Sequence, residues 1–486
     1  MNRYKIKEGQ FEMNEHPVWS YVDQNADRFC TLADNVWDSP ETCYAEKSSV
    51  EFHRKELSHQ GFKITENVAG IPTAIMGEAG FGGPVIAILG EFDALAGLSQ
   101  IADLPEQKVI IVGGNGHGCG HNMLGSASFL AAVAVRDWLK ETGTEGTVRY
   151  YGCPAEEGGA GKTFMVRDGV FDDVDIAISW HPHSIPAVWR GSSLANCRID
   201  FSFKGRASHA AGAPHLGRSA LDAAELMSVG VNYLREHMPD TARIHHAIID
   251  GGGISPNVVQ ANSLVRYVVR SETTPEMLKL LERVRKVAKG AAMMTETEVS
   301  DNILAAVSNL LPNDPLCEAM QRNLDMLGPP SFEKEDYAYA DKFIKTFSDD
   351  DIYESYKNTG IVRTENTSLA NFVVPKGAVP QSVVGSTDVG DVSWVVPTVQ
   401  LWGGNYAIGT PFHSWQMVAQ GKSATAHKGM THAASVMAAT AVDVILDPDL
   451  RIKALTDLKN RVGSNGYICP LPKGSTPPIK AMGGTL

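Results

Sequence analysis

Gly116-His117-Gly118-Cys119-Gly120-His121-Asn122 is the segment from which the fold and the chemistry of this chain can be predicted. Cys119 and His121 are two residues apart. In an extended segment such neighbours point to the same side, so a thiolate and an imidazole could bind one metal ion. The glycines of the segment remove Cβ atoms and permit sharp turns of the backbone. The alternative interpretation is a glycine-rich loop around a buried structural cysteine.

Short apolar runs that end in polar side chains surround this segment, and they predict strands of an open α/β sheet. The predicted strands are 84–89, 109–112, 147–153 and 174–179. The second strand leads through the glycine segment into a helix predicted over 122–139. Because the carboxyl ends of parallel strands meet at one edge of a sheet, we expect the polar residues that follow the strands to converge in one site.

The sequence pattern changes near residue 197, where Ile199, Phe201 and Phe203 alternate with polar residues. This period of two predicts a strand with one polar face. The helix and strand patterns that follow give the order βαββαβ, which is typical of a ferredoxin-like sandwich. We therefore expect an α+β domain at 196–308, inserted between two parts of a mostly parallel-sheet α/β domain at 1–195 and 309–486.

The composition excludes several classes of function. The chain has 486 residues with 43 basic and 56 acidic side chains, and its net charge of -13 argues against nucleic acid or an anionic membrane as the main partner. No apolar run approaches the roughly 20 residues that span a bilayer, and the polar start lacks the apolar segment of a signal peptide, so we expect a cytoplasmic protein. Seven cysteines without CxxC spacing indicate neither a disulfide framework nor a zinc ribbon.

The polar ends of the predicted strands, with one later histidine, supply five candidate metal ligands: Cys119, His121, Glu157, His181 and His413. Five protein ligands of mixed soft and hard type suit two divalent ions better than one. His183 is an alternative to His181, and Asp93 could orient a ligand histidine. Asp388 and Asp391 either bind metal or cap a loop, and the loop is the preferred interpretation.

Glu156 is the candidate catalytic base, because neighbours in an extended segment point to opposite sides and Glu157 is a candidate ligand. Glu156 could take a proton from a water molecule activated by the metals and deliver it to a leaving amine, which is the chemistry of amide hydrolysis. The alternative for this pair of glutamates is a solvated loop. His209, far in sequence from the ligands, could be a surface or capping histidine.

Three motifs carry a resemblance to a known family: Gly118-Cys119-Gly120-His121-Asn122, Pro154-Ala155-Glu156-Glu157-Gly158-Gly159 and Lys204-Gly205-Arg206-Ala207-Ser208-His209-Ala210-Ala211. They resemble the motifs of the two-metal aminoacylase and glutamate-carboxypeptidase family of metallopeptidases. The most similar branch contains amidohydrolases that use cysteine as a ligand, including auxin-conjugate hydrolases. Metallopeptidase relatives carry His-x-Asp after the first buried strand, whereas this chain has Glu91-Phe92-Asp93, so Asp93 is not assumed to be a ligand.

The resemblance implies a role for individual residues. It implies Glu156 as the base and, as metal ligands, Cys119, His121, Glu157, His181 and His413. It also implies that the inserted domain forms a dimer interface and that His209 reaches the site of the neighbouring subunit to stabilise the oxyanion. Asn257 and Arg270 match positions that hold the substrate, where a guanidinium suits a carboxylate.

The expected protein is an amidohydrolase with two divalent ions per subunit, Mn or Zn with Co also possible, that cleaves an N-acyl or N-aroyl amino acid. The resemblance implies p-aminobenzoyl-glutamate as the substrate, with indoleacetyl-aspartate, another N-acyl amino acid or a dipeptide as alternatives. A second alternative is a non-catalytic subunit that completes another chain's site through His209. The presence of Cys119, His121, Glu156 and Glu157 argues against it. A homodimer and a heteromer with a sister subunit both remain open.

Overall fold

The computed structural model describes residues 16–378 and 385–484. Its strands are β1 Lys63–Glu66, β2 Ile75–Phe81, β3 Val85–Glu91, β4 Gly146–Cys153, β5 Ile176–His181, β6 Ala187–Trp189, β7 Ala195–Lys204, β8 Arg243–Asp250, β9 Asn262–Ser271, β10 Glu298–Val307 and β11 Thr398–Trp402. Its α-helices are α1 Trp19–Trp37, α2 Lys47–His59, α3 His121–Thr142, α4 Gly161–Arg167, α5 Ala220–Leu234, α6 Thr274–Met294, α7 Asp314–Leu327, α8 Lys334–Ile344, α9 Asp349–Thr359, α10 Val389–Val395, α11 Trp415–Gln420, α12 Ala424–Leu446 and α13 Pro448–Val462.

The large sheet has the strand order β1-β2-β4-β3-β5-β11-β6. Its central strands β4, β3, β5 and β11 are parallel, and the outer pairings are antiparallel. Glu91 pairs with Cys153, and Trp402 pairs with His181, so these four strands end at one edge of the sheet. The prediction of a mostly parallel sheet whose strand ends converge is confirmed.

Both faces of the central strands are buried, which explains why their sequences do not alternate between apolar and polar residues. In β3, Ile86 and Ile88 belong to one apolar cluster with Phe129 of α3, while Ala87 and Leu89 belong to a cluster on the opposite face. Burying a large aliphatic side chain stabilises the fold by about 1.5–3 kcal/mol. The helix α12 is apolar and long enough to cross a membrane, but 83% of its apolar window is buried in the described fold, as in a core helix.

The small sheet is antiparallel and has the order β10-β7-β9-β8. The helix α5 joins β7 to β8 and α6 joins β9 to β10, so the chain order is βαββαβ, as predicted for a ferredoxin-like arrangement. In β7, Ile199 and Phe201 are buried, whereas Arg198 lies on the opposite, polar face. This polar face is turned toward the cavity described below.

The prediction of a strand at 109–112 is wrong. These residues lie in a loop, and their exposure ranges from 48% for Val109 to 91% for Val112. The Ile111 N–H donates to the Ser99 hydroxyl at 3.0 Å, and the Gly114 N–H closes a turn onto the Ile111 carbonyl at 2.9 Å. A run of four apolar residues is too short for periodicity to separate a strand from a turn. The fourth parallel strand is β11, which lies far along the chain.

Candidate metal centre

Cys119 and His121 reach the site through a left-handed turn and not through the extended backbone that the sequence predicted. Gly120, between them, has a φ of 76°, and His121 is the first residue of α3. A Cβ at Gly120 would lie 3.0 Å from the Pro182 Cβ and would collide with the Tyr406 hydroxyl. Both the turn and its surroundings therefore require glycine at this position.

One group of possible metal ligands consists of Cys119, His121 and His181, whose ligand atoms all lie within 4.8 Å of one another. His181 ends β5, and its Nε2 is 3.4 Å from Cys119 Sγ. Its Nδ1 lies 2.9 Å from the Pro182 carbonyl oxygen, so Nδ1 carries the proton and Nε2 is free to bind a cation. Burial, together with the nearby charge of His121, lowers the pKa of His181 to about 4 and keeps it neutral.

A second group contains Cys119, Glu157 and His413. The His413 Nε2 lies 3.4 Å from the Glu157 Oε2. His413 has a φ of 57°, and its N–H donates to the Gly118 carbonyl oxygen at 2.8 Å. A left-handed conformation costs a residue with a side chain about 1–3 kcal/mol, and such residues cluster at functional sites. Because Cys119 belongs to both groups, its thiolate could be shared by two ions.

A third group contains Glu91, His121 and Glu156. The Glu91 Oε2 lies 3.3 Å from the His121 Nε2, and Asp93 Oδ1 is 2.9 Å from the His121 Nδ1. The second oxygen of Asp93 accepts the Glu157 N–H at 2.9 Å. Asp93 therefore orients His121 and anchors Glu157, which is the role that one interpretation of the sequence gave it. Sequence reasoning missed Glu91, whose only signal was its position at the end of a buried strand.

The residues of these groups fit divalent cations. His121 Nε2 and Glu157 Oε1 are buried without a hydrogen-bond partner among the described residues. Burial, followed by repulsion from Glu91 and Glu157, raises the pKa of Glu156 well above its usual range. Burial likewise raises the pKa of the Cys119 thiol. Cations bound here would stabilise the ionised forms of both groups and would satisfy the unpaired atoms.

Lys162, which the sequence interpretation also missed, is fully buried beside this centre. Its Nζ donates to the Glu91 Oε1 at 2.5 Å and to the Asp388 Oδ1 at 2.6 Å. The remaining oxygen of Asp388 accepts the Lys162 N–H at 2.8 Å. A charged residue two positions before the apolar run Phe164-Met165-Val166 was the available signal. Lys162 neutralises two buried carboxylates and fixes the position of Glu91.

Asp388 and Asp391 are not in any of the three ligand groups. Asp391 accepts hydrogen bonds from the hydroxyls of Thr163 and Tyr467, both at 2.7 Å, and from the N–H of Ser308 at 3.0 Å. Both aspartates therefore have structural partners, and they lie at the start of α10 and not in a loop, with Asp388 at the N-cap position and Asp391 in the first turn.

A cavity of about 630 Å³ opens above the ligand groups. Its wall includes Cys119, Glu156, Glu157, His181, His183, Trp189, Arg198, Arg270, Trp402, Phe412 and His413. His183 stacks on Trp402 with ring centroids 4.4 Å apart and belongs to none of the three ligand groups, whereas His181 belongs to one of them. A cavity of this size with aromatic walls and a few polar groups is typical of a small-molecule site.

His209 and Asn257 belong to two segments that pair with each other, and neither residue lines this cavity. The Ala210 N–H donates to the Asn257 carbonyl oxygen at 2.9 Å, and the His209 Nδ1 accepts the Gly212 N–H at 3.0 Å. Of the residues predicted to act on the substrate, Glu156 and Arg270 line the cavity, whereas His209 and Asn257 do not.

Comparisons with known proteins agree with this geometry. Residues 87–348 match the profile of Peptidase family M20/M25/M40. One subunit of the p-aminobenzoyl-glutamate hydrolase of Escherichia coli is 46% identical over 470 residues, which cover 94% of this chain and 98% of that protein. The Xaa-Arg dipeptidase of Mus musculus is 28% identical, and the match covers 91% of each chain.

A solved structure supports the fold. It is a Bacillus subtilis protein described as a dinuclear metal-binding peptidase of the M20 family, with a TM-score of 0.56 and 18% identity over 87% of this chain and 99% of that chain. The family profile spans more than half of the sequence, and the Escherichia coli relative is matched over nearly its whole length. The chain therefore belongs to peptidase family M20/M25/M40 and is a metal-dependent amidohydrolase.

Proposed function

We propose that the chain hydrolyses the amide bond of p-aminobenzoyl-glutamate and releases p-aminobenzoate and glutamate. The observation that carries this proposal is the position of Glu156 beside groups of metal ligands, at the wall of a cavity that also contains Arg270. A general base, cation sites and a carboxylate receptor are what hydrolysis of an acyl amino acid requires. The relative that is 46% identical is named for this substrate.

We propose that each subunit holds two divalent ions, Mn²⁺ or Zn²⁺ with Co²⁺ as a further possibility. Cys119, His121 and His181 would hold one ion, and Cys119, Glu157 and His413 the other. Mixed thiolate, imidazole and carboxylate ligands accept all three metals, so supply and geometry decide which is used.

The proposed reaction assigns a task to each protein group. Cations held by these ligands would supply Lewis acidity toward the scissile carbonyl and toward a water molecule. Glu156 accepts a proton from that water and returns it to the leaving nitrogen. Its buried position raises its pKa, which suits a carboxylate that must both take and give a proton. Asp93 keeps the His121 ring oriented, and Arg270 binds a substrate carboxylate.

We further propose that 196–308 is an inserted dimerisation domain between 1–195 and 309–486. Apolar side chains on one face of α5 are exposed and support an interface there: Leu226 at 37%, Val229 at 50% and Tyr233 at 73%. The strand β8 lies at the edge of the small sheet, where a second chain can also pair.

His209 and Asn257 would then complete the site of a neighbouring subunit. Their absence from the wall of their own chain's cavity supports this role, as does the pairing of their two segments through the Ala210 N–H and the Asn257 carbonyl oxygen. The neighbour would be a second copy of this chain or a sister subunit. The Escherichia coli relative is named as one subunit of its hydrolase, and this name describes an enzyme with more than one kind of subunit.

We place the protein in the cytoplasm. All seven cysteines are free, and four of them besides Cys119 are buried. Unpaired buried thiols are typical of proteins from reducing compartments.

A substrate panel tests the proposed function. The purified chain is loaded in turn with Mn²⁺, Zn²⁺ or Co²⁺ and assayed on p-aminobenzoyl-glutamate, indoleacetyl-aspartate and a dipeptide that ends in arginine. We expect the highest kcat/KM for p-aminobenzoyl-glutamate. Preference for the dipeptide would contradict the proposal, and activity that appears only after a sister subunit is added would favour a heteromer.

A further inference from the structure

Two arginines of the small sheet face the cavity from neighbouring strands. Arg270 of β9 pairs with Asn196 of β7, and Arg198 lies two residues further along β7. Residues two apart in a strand point to the same face of the sheet. Arg198 and Arg270 are therefore diagonal neighbours, and both side chains line the cavity.

Neither guanidinium has an acidic partner among the described residues. Asp200, on the same face of β7, is held by Arg266 through hydrogen bonds of 2.7 and 3.0 Å. Arg270 donates to the Ser386 hydroxyl at 3.0 Å. Within 16–378 and 385–484, no carboxylate lies at ion-pair distance from Arg198 or Arg270.

The two charges destabilise each other in this wall. Burial lowers the pKa of Arg198, and burial followed by repulsion from Arg198 lowers the pKa of Arg270. Glu157 and Asp200 attract Arg198 and Glu156 attracts Arg270, but none of these carboxylates lies at ion-pair distance, so two half-buried cations remain costly unless an anion binds between or beside them. The pair therefore has the properties of an anion receptor.

The fold also leaves room for the Arg198 side chain next to the proposed catalytic base. Its guanidinium lies against Gly158, which directly follows Glu156 and Glu157 and has a φ of 147°. A Cβ at Gly158 would lie only 2.7 Å from the Arg198 Cζ, so any other residue would displace the guanidinium. The absence of a side chain at Gly158 lets Arg198 approach the reacting groups.

We propose that Arg198 binds a second carboxylate of the substrate while Arg270 binds the first, so that the enzyme selects N-acyl derivatives of dicarboxylic amino acids. This inference rests on the proposed function and identifies the residue that sets its specificity. A paired guanidinium receptor binds two carboxylates through charge-assisted hydrogen bonds. It repels a substrate whose side chain is a guanidinium, so dipeptides ending in arginine are excluded by charge.

A pair of substrates isolates the second carboxylate, because p-aminobenzoyl-glutamate and p-aminobenzoyl-glutamine differ only in that group. We expect Arg198→Gln to lower kcat/KM roughly 10- to 100-fold for the glutamate conjugate and less than about 3-fold for the glutamine conjugate. Arg285→Gln is the matched control, since it makes the same change at an ion pair with Asp301 outside the cavity. This control should keep the wild-type preference.

Binding without catalysis separates this inference from the proposed function. Calorimetry on the metal-loaded protein compares glutarate with butyrate, and we expect roughly 10-fold tighter binding of glutarate by the wild type only. If Arg198→Gln fails to fold, Arg198→Lys is used and should lose part of the preference, because its ammonium cannot form the bidentate contact.

Equal losses for both conjugates, or unchanged glutarate affinity in a folded Arg198 variant, would overturn the role of Arg198. A wild type that binds glutarate preferentially but cleaves no conjugate would refute the proposed function and leave the carboxylate receptor standing.

Discussion

His121 has a carboxylate at each ring nitrogen, with Asp93 at 2.9 Å from Nδ1 and Glu91 at 3.3 Å from Nε2. A ring that binds an ion must be neutral, and in that state the hydrogen bond at Nδ1 would fix the tautomer of the proposed ligand and leave Nε2 for the ion. Glu91 is itself held by Lys162, and Lys162 by Asp388. A series of charge-assisted contacts therefore determines the geometry of the centre before any ion binds.

The variant Glu156→Gln tests the catalytic base. The amide keeps the shape of the side chain but cannot accept a proton, so we expect turnover to fall at least roughly 100-fold. The metal content should stay at the wild-type value because Glu156 is not one of the proposed ligands. Steady-state kinetics and metal analysis of the same preparation check both statements. Near-wild-type turnover with metal retained would remove Glu156 from this role.

The variant Lys162→Met tests the buried ion pairs. It leaves Glu91 and Asp388 buried without their cation, and breaking a buried pair in this way typically costs about 3–5 kcal/mol. Lys357→Met is the control, because Lys357 forms a solvent-exposed pair with Glu354, and its removal should leave the stability close to that of the wild type. Urea unfolding of both variants measures the difference. Similar small losses would mean that Lys162 does not hold the centre together.

At the scale of elements, the left-handed turn at Gly120 decides where α3 begins and where its first residues point. The helix has a left-handed glycine at each end, Gly120 before it and Gly143 after it. Only Gly120 is crowded, because a Cβ at Gly143 would meet no atom within 4 Å. A substitution at Gly143 therefore measures the cost of a strained turn alone. A substitution at Gly120 adds the cost of displacing the proposed metal ligands.

Alanine at these two glycines gives a matched comparison. Gly143→Ala should cost about 1–2 kcal/mol of stability from backbone strain alone and should leave metal binding intact. Gly120→Ala should cost more and should also lower metal occupancy, since the new Cβ displaces Pro182 or Tyr406 beside the ligands. Unfolding curves and metal stoichiometry test the pair, and normal occupancy in Gly120→Ala would show that the turn does not position the ligands.

The elements were predictable where periodicity and length agreed, as in the buried strand β3 and the alternating strand β7. The apolar run at 109–112 was too short for its periodicity to distinguish a strand from a turn. The turn that it forms depends on a tertiary hydrogen bond to the Ser99 hydroxyl. Cys119 and His121 were predicted as ligands from their spacing, and a left-handed glycine places both in groups that could hold an ion. Glu91, Lys162 and Arg198 were missed because their importance comes from partners that are far away in sequence.

At the scale of the whole molecule, two sheets meet at one cavity. The carboxyl edge of the large sheet supplies the proposed metal ligands and Glu156, and the polar face of the small sheet supplies Arg198 and Arg270. Among the described residues, the segment around His209 contributes no side chain to the wall of this cavity. It lies elsewhere on the surface of the small domain. Our proposal is that another subunit supplies the oxyanion donor of this site.

The central claim is that one active site combines the metal centre of one chain with His209 of another. The measurement is the activity of hybrid dimers, made by co-expressing His209→Ala and Glu157→Ala chains with different tags and purifying through both tags. Each parent dimer should be nearly inactive, while the hybrid contains one complete site and should show about half of the wild-type activity. Hybrid activity no higher than that of the parents would contradict the claim.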